Sequence, residues 1–141
     1  MNFFKQFFSF KSKNTFTTQP LIIAAKVIAI EKHPNADRLR IIKLDGGGKE
    51  IYPVVCGAFN FSEGAMVILA LPGATIAQNI HSETHEPFTL EKAKIRGTTS
   101  EGMVCAAFEL GLSSEPGQGI ALLKDNVEPG SQFTPEMIKA L

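Results

Sequence analysis

Two arginines at alternate positions, Arg38 and Arg40, are the first residues in this chain whose spacing could do chemistry. Successive side chains of a strand point to opposite faces, so Arg38 and Arg40 would share one face, with Leu39 and Ile41 on the other. Two guanidinium groups side by side can bind successive phosphates. A strand face exposed only to water would explain the same pattern, and both interpretations stay open.

A second basic group repeats this spacing at Lys92, Lys94 and Arg96. If these residues lie on a strand, three cations stand in a row on one face and repel each other. Such a row needs a counter-charge opposite it. That counter-charge is either a phosphate chain or an internal acid such as Glu91 or Glu101.

The residues that follow, 97–105, place short hydrogen-bond donors beside glycines. Ser100 offers a hydroxyl, and at Gly102 the backbone can approach a ligand closely because glycine has no side chain. Met103 is either a buried core side chain or an adaptable apolar contact on the surface. The segment is therefore a candidate ligand-facing loop or strand.

A turn precedes the first basic pair. Pro34 fixes its own φ and favours an extended conformation for His33, while Asn35 and Asp37 can hydrogen-bond the backbone two residues further on. These four residues therefore have a structural role, in a turn that joins two strands.

The sequence offers no catalytic or metal-binding motif. His81 and His85 would share a face of a helix, but Ser82 and Pro87 favour a loop, and Ser82 stands where a zinc hydrolase has glutamate. No nucleophile elbow, phosphate-binding loop or dinucleotide fingerprint occurs. We expect no catalytic residue, no metal site and no cofactor.

The elements that must position these residues are short β-branched segments separated by turn residues about every ten positions, which is typical of an all-β barrel. Pro53 restricts its strand to a sheet edge or a bulge. Strands are predicted at Leu21–Glu31, Leu39–Asp45, Ile51–Gly57, Met66–Leu71, Phe88–Ile95, Met103–Ala107 and Ile120–Leu123.

Length and composition indicate one globular domain. The chain has 141 residues, of which 44% are hydrophobic, enough for a core without disulfide or metal support. No apolar run approaches the roughly 18 residues of a membrane-spanning helix, so we expect no membrane span. Cys56 and Cys105 lie in apolar runs and are expected to be buried, reduced thiols in a cytoplasmic protein. A net charge of zero means that any binding of nucleic acid depends on a local patch.

The chain divides into a Phe- and Lys-rich extension (1–20), a β-domain (21–130) and a short C-terminal helix (131–141). The helix is predicted because Thr134 and Pro135 form a helix start. Phe3, Phe4, Phe7 and Phe8 recur at helical spacing. Their rings would pack on the same chain, on a second copy or on a membrane surface, unless the segment is disordered.

Four stretches together resemble the tRNA-binding domain family: HPNADRL at 33–39, VVCGAFN at 54–60, ALPGATI at 70–76 and KAKIRGTTSEGMVCAAFELGL at 92–112. The family includes stand-alone bacterial tRNA-binding proteins and domains of methionyl-tRNA synthetases and of endothelial monocyte-activating polypeptide. The version at the N-terminus of bacterial phenylalanyl-tRNA synthetase β subunits is the most similar. Two positions depart from that version: Phe59 replaces a usual proline, and Ala106 a frequent serine.

The resemblance implies an OB fold, a five-stranded Greek-key barrel, here with short flanking helices. It also implies a tRNA-contacting face. Arg38 matches the basic residue that ends the family's turn, and Lys94 and Arg96 match its basic strand. The family's SxGM motif is matched by Ser100, Gly102 and Met103.

The function implied is tRNA binding by shape and phosphates rather than by base sequence, in a stand-alone or accessory module of aminoacylation. Arg40 would join Arg38, Lys94 and Arg96 along the phosphates. Expected partners are tRNA, a second copy of the chain in a homodimer, and an aminoacyl-tRNA synthetase. The alternative is a protein-interaction module that docks to a synthetase or another translation factor, with weak or no RNA binding.

Overall fold

The computed structural model describes residues 19–117 and 119–140, which form eleven β-strands and two single turns of 3₁₀ helix. The Phe-rich segment around Phe3 to Phe8 lies outside the described residues, so its predicted helix stays a prediction. Among the residues described, no helix has the length and apolar character needed to cross a membrane.

The first three strands form an antiparallel meander: β1 (Ile22–Lys32), β2 (Arg40–Asp45) and β3 (Glu50–Cys56). The sequence prediction for them is confirmed to within one residue at each end. The predicted glycine turn between β2 and β3 is also present. Asp45 Oδ1 accepts hydrogen bonds from the N–H groups of Gly47 and Gly48, both at 2.9 Å.

The meander closes into a barrel through the fourth strand. β4 (Met66–Ala70) pairs with the free edge of β1, and β9 (Met103–Val104) pairs with β4. The N–H of Glu101, just before β9, donates to the carbonyl of Pro53 in β3 at 2.8 Å. The order β1, β2, β3, β9, β4 and back to β1 is that of a closed barrel of OB type, as predicted.

Two small hairpins are added between β4 and β9. β5 (Thr75–Ile76) pairs with β6 (Phe88–Thr89), and β7 (Ala93–Ile95) pairs with β8 (Thr98–Ser100). The strand predicted over Phe88–Ile95 is therefore two strands. It divides because its two halves pair with different partners.

Pro53 lies where the sequence predicts, in the last strand of the main ladder and at a bulge. The register between β2 and β3 shifts between Ile42 and Leu44, so Tyr52 and Pro53 together lie opposite Lys43. The bulge tolerates the missing N–H of proline because the extra residue leaves the regular hydrogen-bond ladder.

Both faces of β1 are buried over its first four residues, 22–25, which explains why the strand begins with a continuous apolar run. Ile23, Ala25 and Val27 point into the barrel, whose core also receives side chains from β2, β3, β4 and β9. Ile22 and Ala24 point the other way, into a second core. That second core lies under the C-terminal part of the chain.

The prediction of a C-terminal helix over 131–141 is wrong, since only one turn of helix is present. Pro135–Met137 form a single 3₁₀ turn, and β11 (Ile138–Ala140) then pairs with β10 (Leu122–Leu123). Nucleating a helix costs more free energy than the few hydrogen bonds of so short a segment return. A strand at the same place forms hydrogen bonds with its neighbour directly. The other flanking helix is also a single 3₁₀ turn, Phe108–Leu110.

Both cysteines are buried and free, as predicted. Burial raises the pKa of the Cys56 thiol, and it raises the pKa of Cys105 well above the usual range. Since the thiolate is the reactive species, both side chains behave as small hydrophobic residues of the core.

Candidate nucleic-acid interface

The second basic group lies on a tight hairpin. Arg96 and Gly97 link β7 to β8, with φ of 52° and 94°, the signs that a type I′ turn requires at its two central positions. Gly97 adopts this conformation without a steric cost. Lys94, on β7, and Arg96, at the tip, are both exposed.

His33 fastens the preceding turn to this hairpin. The ring is 1% exposed, and its Nδ1 accepts the N–H of Asn35 at 3.0 Å. The proton must then be on Nε2, which donates to the carbonyl of Ile95 at 3.1 Å. The structural role predicted for His33 therefore includes a link between two distant segments of the chain.

Asn35 and Arg96 reinforce that link through two further hydrogen bonds. Arg96 Nη2 donates to the carbonyl of Asn35 at 3.1 Å, and Asn35 Nδ2 donates to the carbonyl of Arg96 at 3.3 Å. The turn and the hairpin thereby frame a hollow of about 760 Å³, here called the cationic cleft. It is lined by Lys32, Pro34, Asn35, Ala36, Asp37, Arg38, Leu39 and Arg96.

Internal carboxylates supply the counter-charge for some of these basic residues. Lys92 pairs with Glu101 at 3.0 Å, and Lys32 with Asp37 at 3.8 Å. In contrast, three exposed cations of this turn and hairpin have no carboxylate of the described residues within 4.0 Å of their charged groups. These unpaired cations are Arg38, Lys94 and Arg96.

Arg40 is half-buried and, contrary to expectation, does not share a strand face with Arg38, while its predicted contact with phosphate stays a prediction. Its Nη2 donates to the carbonyls of Ala58 (3.0 Å) and Phe61 (3.2 Å). Its guanidinium makes cation–π contacts with the rings of both Phe59 and Phe61. The alternation argument failed because β2 begins only at Arg40, so Arg38 is still in the turn.

Ser100 and Gly102 are also below the surface, so neither is placed to touch a ligand directly. Ser100 is 4% exposed, and its hydroxyl accepts the N–H of Val55 at 2.9 Å and donates to the carbonyl of Gly102 at 2.8 Å. A Cβ at Gly102 would lie 2.9 Å from the carbonyl oxygen of Ala70. Both residues support β9 where it crosses between β3 and β4.

Met103 is half-buried and lines a second hollow of about 410 Å³, here called the apolar groove. Met103 was expected to be either a core side chain or an apolar surface contact. It is partly each, because it lines this hollow and also packs against the second core. The other residues that line the groove are Leu39, Val55, Cys56, Gly57, Ala58, Ile80, His81, Ile95, Val104, Ala106, Glu109, Gly117, Gly119 and Ile120. Leu39 borders both the groove and the cationic cleft.

Sequence reasoning missed Glu109, a buried carboxylate in the wall of the apolar groove. It is 8% exposed, and its Oε1 accepts the N–H of Ala106 at 2.8 Å. Burial raises the pKa of Glu109, against an opposing contribution from that hydrogen bond. The hydrogen bond joins the glutamate to the N–H three residues earlier, as in a capping box, but Ala106 lacks the hydroxyl by which that motif is recognised in a sequence.

The His81 to Glu86 segment does not gather ligands. Across residues 19–117 and 119–140, no three histidine, cysteine or acidic side chains are grouped so that they could hold a metal ion. His85 instead packs edge-on against the ring of Phe108, with centroids 4.9 Å apart.

Residues 22–132 match the family model described as "Putative tRNA binding domain". The chain belongs to the tRNA-binding domain family. Two relatives of this tRNA-binding domain are phenylalanine–tRNA ligase beta subunits. That of Chlorobaculum tepidum is 45% identical over 109 residues, and that of Wolbachia sp. subsp. Brugia malayi is 41% identical over 111.

These matches cover 77% and 79% of the tRNA-binding domain chain but only 13% of each relative's length. A solved structure, the methionyl-tRNA synthetase related protein from Pyrococcus horikoshii, has the same fold with a TM-score of 0.54. It is 18% identical, and the alignment covers 80% of this chain and 88% of that one.

Replacing Glu109 by glutamine is expected to remove a pH-dependent part of the stability. Because the folded-state pKa of Glu109 is raised, the unfolded chain releases this proton first as the pH rises. The contribution to the free energy of unfolding is complete below the ordinary glutamate pKa of about 4.3, and it is lost as the pH passes the raised value. Glutamine keeps an acceptor for the N–H of Ala106 but does not ionise.

The measurement is the melting temperature of both proteins between about pH 4 and pH 7. The parent's melting temperature minus that of Glu109→Gln should fall as the pH rises. A difference that stays constant over this range would contradict the burial of an ionisable Glu109.

Proposed function

We propose that this domain binds tRNA through its phosphates and overall shape, as a stand-alone or accessory module of aminoacylation. The observation that carries the proposal is the set of three unpaired cations, Arg38, Lys94 and Arg96, on a turn and hairpin that are fastened together. Because these cations have no ion pair, none has to be broken when they bind phosphate.

In this mechanism Arg38 and Arg96 clamp phosphates at the cationic cleft, each able to donate two parallel hydrogen bonds. Lys94 extends the positive surface along β7. Phosphate contacts carry no sequence information, so the clamp recognises where phosphates lie in space. The selectivity is therefore for the folded outline of tRNA rather than for its anticodon.

The apolar groove supplies the remaining contact in this proposal. Met103 is an adaptable side chain at its edge, suited to a sugar or an unstacked base. Ser100 acts as a positioning residue, since its two hydrogen bonds tie β3 to the backbone just before Met103.

Three cations on a chain of net charge zero give a weak single site. A homodimer would raise the overall affinity by offering two linked sites without new contacts. The relatives are beta subunits of a tRNA ligase, which supports a synthetase as a partner and the cytoplasm as the location. Since the chain matches only 13% of those relatives, the ligase activity itself is not proposed for it.

The alternative, a protein-interaction module on a synthetase or other translation factor, is favoured by two observations. The net charge is zero, and the apolar groove could hold side chains of a partner. In that case the cations of the cleft would contact acidic side chains.

The test compares, by filter binding, two tRNAs that differ in anticodon and a DNA duplex of similar length. The two tRNAs are expected to bind within about threefold of each other, and the DNA more weakly because its groove geometry differs. A strong preference for one anticodon would contradict recognition by shape. Absence of binding to any tRNA would favour the protein-interaction alternative.

A further inference from the structure

A cluster of two aromatic rings and a guanidinium group includes an exposed ring beside the cationic cleft. Phe61 is buried, and the Arg40 guanidinium carbon lies 4.7 Å from the centroid of the Phe61 ring and 4.5 Å from that of the Phe59 ring. Phe59 is 56% exposed, more than any other large hydrophobic side chain of the described residues. The part of the Phe59 ring that Arg40 does not cover is therefore open to a further flat group.

The ring is held in place from both sides. Arg40 Nη2 donates to the carbonyl of Ala58, just before Phe59, and to that of Phe61, two residues after it. Asn60 makes two hydrogen bonds to the backbone of Ile120, at 3.0 and 3.1 Å. Such a preorganised ring loses little conformational freedom when a ligand stacks on it.

The surroundings of Phe59 continue into the cationic cleft. A depression of about 260 Å³ is lined by Phe59 and Arg40 together with Lys32, Asp37 and Leu39, and the last three also line the cleft. Further lining residues are Ile30 and Glu31. The exposed ring and the unpaired cation Arg38 thus belong to one continuous surface.

We infer that Phe59 stacks one unpaired base of the bound RNA, on the part of its ring that Arg40 does not cover. The inference rests on the proposed tRNA binding. Cations that follow the phosphates, with an aromatic ring for the bases, form the usual binding surface for single-stranded nucleic acid. Stacking accepts any base, since every base has a π-face, so this contact adds affinity without sequence preference.

The test uses substitutions of Phe59 that separate stacking from apolar bulk. Phe59→Ala and Phe59→Leu are each expected to weaken tRNA binding about tenfold, whereas Phe59→Tyr, which keeps an aromatic ring, should bind as the parent does. The salt dependence should stay unchanged, since no charge is removed. The side chain is more than half exposed, so the melting temperature should fall only slightly, through the lost contact with Arg40.

A second readout does not depend on affinity. The sequence contains no tryptophan, so the Phe59→Trp variant would carry a single indole whose emission falls when a base stacks on it. If the parent binds tRNA but Phe59→Ala and Phe59→Leu bind equally well, the stacking role is wrong and the phosphate-binding function stands. If the parent binds no tRNA, the proposed function fails. The stacking role then fails too, unless single-stranded RNA still quenches the Phe59→Trp variant.

Discussion

A variant in which Arg38, Lys94 and Arg96 are all replaced by alanine is expected to bind tRNA about 10²-fold more weakly at about 0.1 M salt. Each of these cations releases roughly one counterion from the RNA when it contacts a phosphate, and none has an ion pair in the described protein to give up. Filter binding at two salt concentrations measures the loss. At about 1 M salt the variant and the parent should converge.

The control removes the same number of charges elsewhere. Lys49, Lys124 and Lys139 are exposed, and they line neither the cationic cleft nor the apolar groove. Their combined replacement by alanine should weaken binding far less than the triple change at the cleft. Equal losses in the two variants would mean that binding follows net charge and that the cleft is not the site.

The second large effect is expected on stability, from replacing His33 by alanine. This change leaves the carbonyl of Ile95 and the N–H of Asn35 without their partners in a partly buried position and opens a cavity where the buried ring was. The expected cost is about 2 to 4 kcal/mol, or a fall of roughly 10 °C in melting temperature. Because the turn and the hairpin lose a shared bond, tRNA affinity should fall as well.

Asn35→Ala is the matched control for His33. It removes the single hydrogen bond from Asn35 Nδ2 to the carbonyl of Arg96, at an exposed position, and keeps the backbone N–H. The loss of stability should stay below about 1 kcal/mol. If thermal melting finds His33→Ala no more harmful than Asn35→Ala, then His33 does not fasten the turn to the hairpin.

The strands of the barrel could be predicted because local sequence features mark each of them. β-branched runs with turn residues at both ends located β1 to β4, and Pro53 indicated its bulge. The C-terminal strand could not be predicted in this way. A good helix start at Thr134 and Pro135 was overridden by pairing between β11 and β10, a contact that local sequence does not encode.

The residues of the candidate site could be predicted only in part. Arg38, Lys94 and Arg96 lie exposed as expected. Arg40 was misplaced because the period of a strand was extended into a turn, and its aromatic partners come from a loop more than 15 residues away. Ser100 has its hydroxyl satisfied by β3, which sequence spacing cannot reveal.

The most direct test of the central claim is the salt dependence of tRNA binding by the unmodified protein. With three phosphate contacts, the slope of log K against log salt should lie between about −2 and −3. The Arg38, Lys94 and Arg96 triple variant should bring that slope close to zero. A parent protein whose tRNA affinity does not change with salt, or a triple variant with the parent's slope, would contradict binding through these three cations.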